Sequence, residues 1–400
     1  MNISLRYHRS LDYRALAIQK LGINRALIAV AISGVETVWP ALLYSFYPNS
    51  STIGFVTAGF AIISLLSLAF FFPLFQKFSA RSLFFAAVGC NALMIALFAY
   101  AKSPIIFFIL AAINVVFGSL RYQSFGVLVR TNSSNKSIER NERVLYLVGN
   151  IGWVIGPLLA GFLAKELSVN AVLMMASMFL IFSVYSITMA TNVLEHYHNK
   201  KSRSVSIFKN FFHFFHKKKR ILSYVFSAGL EIWWALAYIF IPLEMLNAGM
   251  DMGAIGLFIF FLALPLIITQ WAIQKITIKN QRMIFATGYG LAAICALGAS
   301  FSSNIHTIIA YIIIASFGMG LIEPTAESYF FNTVNAEQAT RYYGTFFTSK
   351  TIGGFFGRLM IAIILIQFAF KYALLGIAAS MTILAIIGLV KKRRKHRKKY

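Results

Sequence analysis

"GVETVWPALLYSFYP", residues 34 to 48, sets one carboxylate inside a run otherwise suited to hydrocarbon, and "GLEIWWALAYIFIP", residues 229 to 242, sets a second in the same way. In both, glycine, one residue, glutamate and two residues lead to tryptophan, and tyrosine, phenylalanine and proline then follow at two-residue intervals. A charge facing lipid at mid-depth costs at least about 2.5 to 3.5 kcal/mol. Glu36 and Glu231 are therefore expected to face protein or water, and their recurrence implies two related halves.

The surrounding sequence is built for a bilayer. It is 59% hydrophobic and 12% charged, with a mean hydropathy of +0.73, and its apolar residues fall in long blocks. A soluble chain of this length cannot carry such blocks. Twelve of them, each about the 20 residues that cross about 30 Å of hydrocarbon, lie near 24-47, 52-74, 82-101, 104-128, 143-164, 169-192, 222-243, 253-273, 283-301, 306-329, 343-367 and 372-390. They are too long for barrel strands and lack their alternation. The expected fold class is all-α and polytopic, with twelve transmembrane helices in two pseudo-symmetric six-helix bundles.

The formal net charge is +25. In a soluble protein that would point to nucleic acid, but here the basic residues gather in the links and at the ends. Lys77 and Arg81, then Arg130, Lys136, Arg140 and Arg143, then "HYHNKKSRSVSIFKNFFHFFHKKKR" (196 to 220), then Lys275, Lys279 and Arg282, and the tail "KKRRKHRKKY" fall on one side. Lys102, Lys165 and Lys371 fall on the other. The positive-inside rule then places both termini in the cytoplasm, with a plasma membrane, in bacteria the inner membrane, as the site. Residues 1 to 22 are polar and basic, so the first span is expected to act as the insertion signal. The basic tail suits anionic lipid, each residue near the surface adding about 1 kcal/mol. Nucleic acid is not expected as a partner.

The chain divides into a first bundle (1-192), a cytoplasmic linker (193-221), a second bundle (222-390) and a basic tail (391-400). Within the linker, Ile207, Phe208, Phe211, Phe212 and Phe215 recur at one-face spacing, which predicts an interfacial helix. The alternative is a basic linker whose phenylalanines merely begin the next span. His196, His198, His213 and His216 lie there too, but only Glu195 could join them, and no metal site or cofactor is expected. Cys90 and Cys295 sit in separate apolar blocks, which argues against a disulfide. Walker and dinucleotide fingerprints are absent from the sequence, so neither an ATP-driven pump nor an enzyme is expected.

Internal repeats extend the opening observation. Gln76-Lys77 aligns with Gln274-Lys275, Phe85-Ala86 with Phe285-Ala286, Phe117-Gly118 with Phe317-Gly318, and Ile151-Gly152 with Gly156 with Ile352-Gly353 with Gly357. Such duplication is expected of transporters whose halves rock about a central site.

At this point the chain resembles the major facilitator superfamily. The stretch "GNIGWVIGPLLAGFL" in the fifth span sets out Gly152, Gly156, Pro157 and Gly161 in the Gly-x-x-x-Gly-Pro-x-x-x-Gly pattern that marks the superfamily's proton-coupled antiporters. Small residues four apart also let helix backbones approach closely. The link "FPLFQKFSARS" departs from the family's gate loop: it keeps Lys77 and Arg81 but has Gln76 in place of the acid, and Gln274 and Lys275 stand at the repeat position. The resemblance implies a monomeric secondary transporter acting by alternating access, and proton-coupled export of a small hydrophobic or cationic compound is the leading expectation. The alternatives are uptake of a sugar, amino acid or peptide fragment by symport or facilitated diffusion, and a receptor-like protein that moves nothing.

In this family the first, fourth, seventh and tenth spans line the cavity. The resemblance thus assigns Glu36 and Glu231 to proton coupling or substrate binding. Arg121 in span 4 and Glu323 in span 10 join them, with Arg121 expected to pair with Glu36 or Glu323, to contact an anion, or to snorkel at the boundary. Trp39, Trp234, Tyr44 and Tyr238 are the candidate cavity aromatics. Lys350 and Arg358 receive no role from the sequence.

Overall fold

The structure is a computed structural model that describes residues 3–71, 74–133, 138–188, 207–275 and 281–390. The first part of the expected linker and the basic tail lie outside the described residues, as do the side chains of Gln76, Gln274 and Lys275. Among the described residues, twelve helices are long and apolar enough to cross a membrane. Spans 1 to 6 are Leu16–Phe46, Ser50–Ser67, Ala80–Phe98, Pro104–Thr131, Val144–Glu166 and Val169–Ile187. Spans 7 to 12 are Lys218–Asn247, Met252–Thr269, Gln281–Ser300, Ile305–Phe331, Arg341–Gln367 and Phe370–Leu389.

The turns follow from local chemistry. Asn49, Ser79, Ser103, Asn304 and Asn335 each accept a backbone N–H with the side chain and so cap spans 2, 3, 4, 10 and the helix of span 11. Pro104 opens span 4 where its missing N–H is not needed. Span 7 ends at Gly249, whose φ of 78° suits a residue without a Cβ, while the Met250 N–H bonds the Met245 carbonyl at 3.0 Å.

Glycines set the helix spacing within each half, and they do so in the paired positions of the repeat. A Cβ at Gly152 would meet Ala26, Ala29 and Val30 of span 1, and one at Gly156 would meet Val30 and Ser33. The Ser33 hydroxyl also donates to the Gly152 carbonyl at 3.2 Å. In the other half, Gly353 lies against Ala228 and Gly357 against Ile232 and Ala235 of span 7. Each half therefore clamps its Glu-bearing span against its fifth or eleventh.

Contacts between the halves differ at the two ends, here named the Tyr47 end and the Lys77 end. At the Tyr47 end the backbones touch. A Cβ on Gly54 of span 2 would lie 2.6 Å from the Ala362 Cβ of span 11, and one on Gly256 of span 8 would lie 2.6 Å from the Pro157 carbonyl of span 5 and 2.7 Å from the Gly161 Cα. The Ser51 hydroxyl donates to the Ala362 carbonyl at 2.7 Å, and Lys165 pairs with Asp251 at 3.1 Å. The Ala254 N–H at 2.8 Å and the Lys165 ammonium hold the Asp251 carboxyl below its usual range. Toward the Lys77 end the halves meet through side-chain tips: Tyr122 stacks on Phe347 at 4.6 Å, and Arg130 lies 5.3 Å over Tyr343.

The expected linker helix is present as Ile207–Phe214. Its anchor is Phe214, which is fully buried against Tyr224, Phe330 and Tyr342, and this residue was not among those singled out by one-face spacing. Arg220 locks the connection by donating to the His213 carbonyl at 2.5 Å and lying 4.3 Å over the Tyr342 ring. Phe212 stays exposed. The helix thus docks on the second bundle, and only part of its aromatic surface is left for lipid.

Candidate functional site

Glu36 faces the partner half, and Glu231 faces charged groups of its own half, one of which, Arg358, Glu36 also reaches. Glu36 lies within electrostatic range of Arg358 on span 11 and of Tyr238 on span 7, both in the second bundle. Glu231 lies within range of Lys350, Glu323 and Arg358, and Glu323 within range of Lys350 and Glu327. Tyr238 is common to Glu36, Glu231 and Glu323. One connected set thus draws on spans 1, 7, 10 and 11. Its side chains are half-buried.

The set contains four acids, Glu36, Glu231, Glu323 and Glu327, and two bases, Lys350 and Arg358. None of these acids comes within 4.0 Å of either base. Arg358 instead donates to the Thr57 carbonyl of span 2 at 3.4 Å, and its Nε has no acceptor. These oppositely charged groups therefore lie within electrostatic range of one another without forming ion pairs.

Span 7 is locally rewound beside this cluster. Residues Leu236–Phe240 form a π turn, with Pro242 two residues beyond it, which has no N–H to offer the preceding turn. The turn presents Tyr238 to the chamber, 5.4 Å from Trp234 and 5.9 Å from Trp153 of span 5. These three rings form an aromatic wall that both halves contribute to.

Several sequence expectations change here. Trp39 packs inside the first bundle, 5.4 to 6.3 Å from Phe107, Phe98 and Phe60, and not in the chamber wall. Tyr44 is 37% exposed, close to the Tyr47 end of span 1. Arg121 makes no ion pair with Glu36 or Glu323, and the charge nearest it electrostatically is Arg25. Gly152, Gly156 and Gly161 act as contact points, the first two on span 1 and the third on span 8, with the Pro157 carbonyl at the same crossing. Lys77 is exposed, and the Arg81 guanidinium lies 5.3 Å over Phe85. Trp153 and Tyr146 are the members that sequence reasoning missed, and Lys350 and Arg358, noted there without a role, join the acids. The Tyr146 hydroxyl lies beside Glu323 and within range of Glu327 without reaching hydrogen-bond geometry. An apolar groove lined by Ile294, Leu297, Leu375 and Thr382 lies between spans 9 and 12, away from these charges.

A sequence model of the Major Facilitator Superfamily matches residues 21–358. The chain belongs to this superfamily. Solved structures agree in fold. A bacterial homologue of the human drug peptide transporters PepT1 and PepT2 superimposes with a TM-score of 0.70 at 13% identity, covering 94% of this chain and 97% of that one. The nucleoside transporter NupG gives 0.71 at 14% identity, with 93% and 98% covered. A POT family transporter in complex with a thioalcohol-conjugated peptide gives 0.76 at 9% identity, with 92% and 94% covered. No curated protein sequence matches the chain. Identities this low carry the superfamily's fold and no substrate.

Proposed function

We propose that the chain is a secondary transporter working by alternating access, and that it takes up a small polar solute bearing both charges, of the amino acid or peptide-fragment class. The carrying observation is the unpaired mixture of Glu36, Glu231, Glu323, Glu327, Lys350 and Arg358 around one chamber. A site for lipophilic cations needs acids and aromatics, and two unneutralised bases among them would repel such a ligand. The similar solved structures include peptide and nucleoside transporters, which is in keeping with uptake. The expectation of export rested on the span 5 motif, whose glycines are accounted for by helix packing in either direction of transport.

In this reading the Lys77 end faces the cytoplasm, following the distribution of basic residues. The backbone clasps then close the outer side, and the conformation is inward-facing. Glu36 and Glu231 are the proton-coupling groups, one in each half. The protein sits in the plasma membrane as a monomer.

The test is flux in proteoliposomes. An inwardly directed proton gradient should drive accumulation of radiolabelled dialanine. Accumulation of tetraphenylphosphonium with acid inside, and no dialanine flux, would instead establish export. A folded protein that moves neither would support the receptor-like alternative.

A further inference from the structure

A basic and aromatic surface lies at the Lys77 end of the second bundle, away from the chamber. Phe214 is buried against Phe330 and Tyr342, in the last turn of span 10 and the first turn of span 11, so the linker helix sits level with the ends of the spans. Phe212 lies two residues earlier, about 200° around the helix, and the burial of Phe214 turns it outward. It is 66% exposed. The His216 Nδ1–H donates to the Phe212 carbonyl at 2.8 Å, which holds that imidazole against the end of the helix, and the His213 and His216 rings stack at 5.4 Å.

Lys217, Lys218 and Lys219 follow directly and are all exposed. Arg220 does not belong to this surface, because it is buried and engaged by the His213 carbonyl and the Tyr342 ring. The three lysines open span 7, at the positive end of its helix, where the first turn holds no acid and Lys217 makes no side-chain cap. Among the described residues, no carboxylate lies within 4.0 Å of them. An exposed phenylalanine costs free energy in water, and like charges gathered at the positive end of a helix repel. A surface that is both negatively charged and partly apolar relieves the two together. The headgroup boundary of an anionic bilayer is such a surface, and it lies at the depth where the linker helix docks. A soluble acidic partner would meet the lysines but gives no reason for a phenylalanine level with the ends of the spans.

We propose that Phe212, His216 and Lys217 to Lys219 form a docking surface for anionic phospholipid, with the phenylalanine ring among the upper acyl carbons and the ammonium and imidazole groups on lipid phosphates. The surface fixes the linker helix and the first turn of span 7 to one leaflet. It depends neither on the solute nor on the direction of transport proposed above.

The experiment is fluorescence quenching in nanodiscs, using the full chain with Cys90 and Cys295 replaced and a bimane label at Phe212→Cys, which keeps an apolar ring at that position. The discs hold equal amounts of phosphatidylcholine and phosphatidylglycerol, with one or the other brominated near the headgroup end of its acyl chains. Quenching should report a preference for phosphatidylglycerol of at least about fivefold, the effect of one basic residue near an anionic surface. Lys217→Gln, Lys218→Gln and Lys219→Gln together should bring that ratio to about one, and these side chains are exposed, so the triple variant removes no packing. Salt at about 1 M, which screens charges beyond about 3 Å, should lower the ratio in the same direction without any mutation and serves if the triple variant does not fold. A label quenched by neither lipid would place Phe212 in water and overturn the docking surface. Equal quenching by both lipids with the lysines in place, or a preference that survives in the folded triple variant, would overturn the assignment to anionic lipid.

Discussion

The substitution Gly256→Ala tests whether the Tyr47 end is a gate. The added methyl would stand 2.6 Å from the Pro157 carbonyl, whereas ordinary contact begins at 3.4 Å, so spans 5 and 8 must part locally by about 0.8 Å. Neither neighbour can give way by a rotamer change, because both are main-chain atoms. Overpacking of this kind costs about 1 to 3 kcal/mol. The cost falls only on the conformation in which these helices touch. The gain in helix propensity from alanine, about 1 kcal/mol, is present in both conformations and cancels. The equilibrium should therefore move by about 5- to 150-fold toward the form open at this end. Spin labels at Leu167 and Phe368, which are 70% and 56% exposed and lie on opposite halves at this end, report the change by double electron–electron resonance. Labelling requires Cys90 and Cys295 to be replaced first. A longer-distance population should appear in Gly256→Ala and not in Gly290→Ala, where a Cβ meets nothing within 4 Å. Identical distance distributions in folded wild type and Gly256→Ala would refute the gate.

Glu36→Gln and Glu231→Gln should each abolish gradient-driven accumulation of dialanine while leaving solute exchange at zero gradient; accumulation at the wild-type level would remove them from coupling. Phe214→Ala should loosen the linker helix, since truncating a buried phenylalanine costs about 3 to 5 kcal/mol, and faster amide hydrogen exchange over Ile207–Phe214 is the readout. Asp251 is held below its ordinary value of 3.8, so its contribution to closure is present above that value and fades only as pH falls through the lowered one. Asp251→Asn should consequently leave the shape of the transport profile between about pH 5 and 8 unchanged. A new inflection in that window would contradict the assignment.

The fold was legible because the bilayer imposes length and charge rules on every span. The repeat was legible as well, and in the structure the aligned pairs Gly152 and Gly353, and Gly156 and Gly357, do the same job against spans 1 and 7. The chamber was only half legible. Glu36 and Glu231 stood out by their cost in lipid, but a tryptophan one turn from a glutamate carries no such signal, and Trp39 turned inward among phenylalanines. Lys350 and Arg358 went unassigned because their partners lie on other helices. Their spacing, with Gly354 midway at i, i+4 and i+8, was the available sign of a shared face. The place of Arg25 was illegible for a different reason: only packing brings it from span 1 against Gly149 of span 5.

The π turn at Leu236–Phe240 makes the two halves unlike where it matters. Tyr44 follows Glu36 by eight residues and Tyr238 follows Glu231 by seven, and a single residue turns what lies beyond it in a helix by about 100°. Tyr44 and Tyr238 are counterparts in sequence, yet one ends at the periphery and the other between the glutamates. A vessel assembled from two copies of a single mould would offer identical walls and could grip only an object with matching ends. The rewound turn spoils that likeness, which in the proposed uptake would let cargo with a head and a tail be held in one direction only.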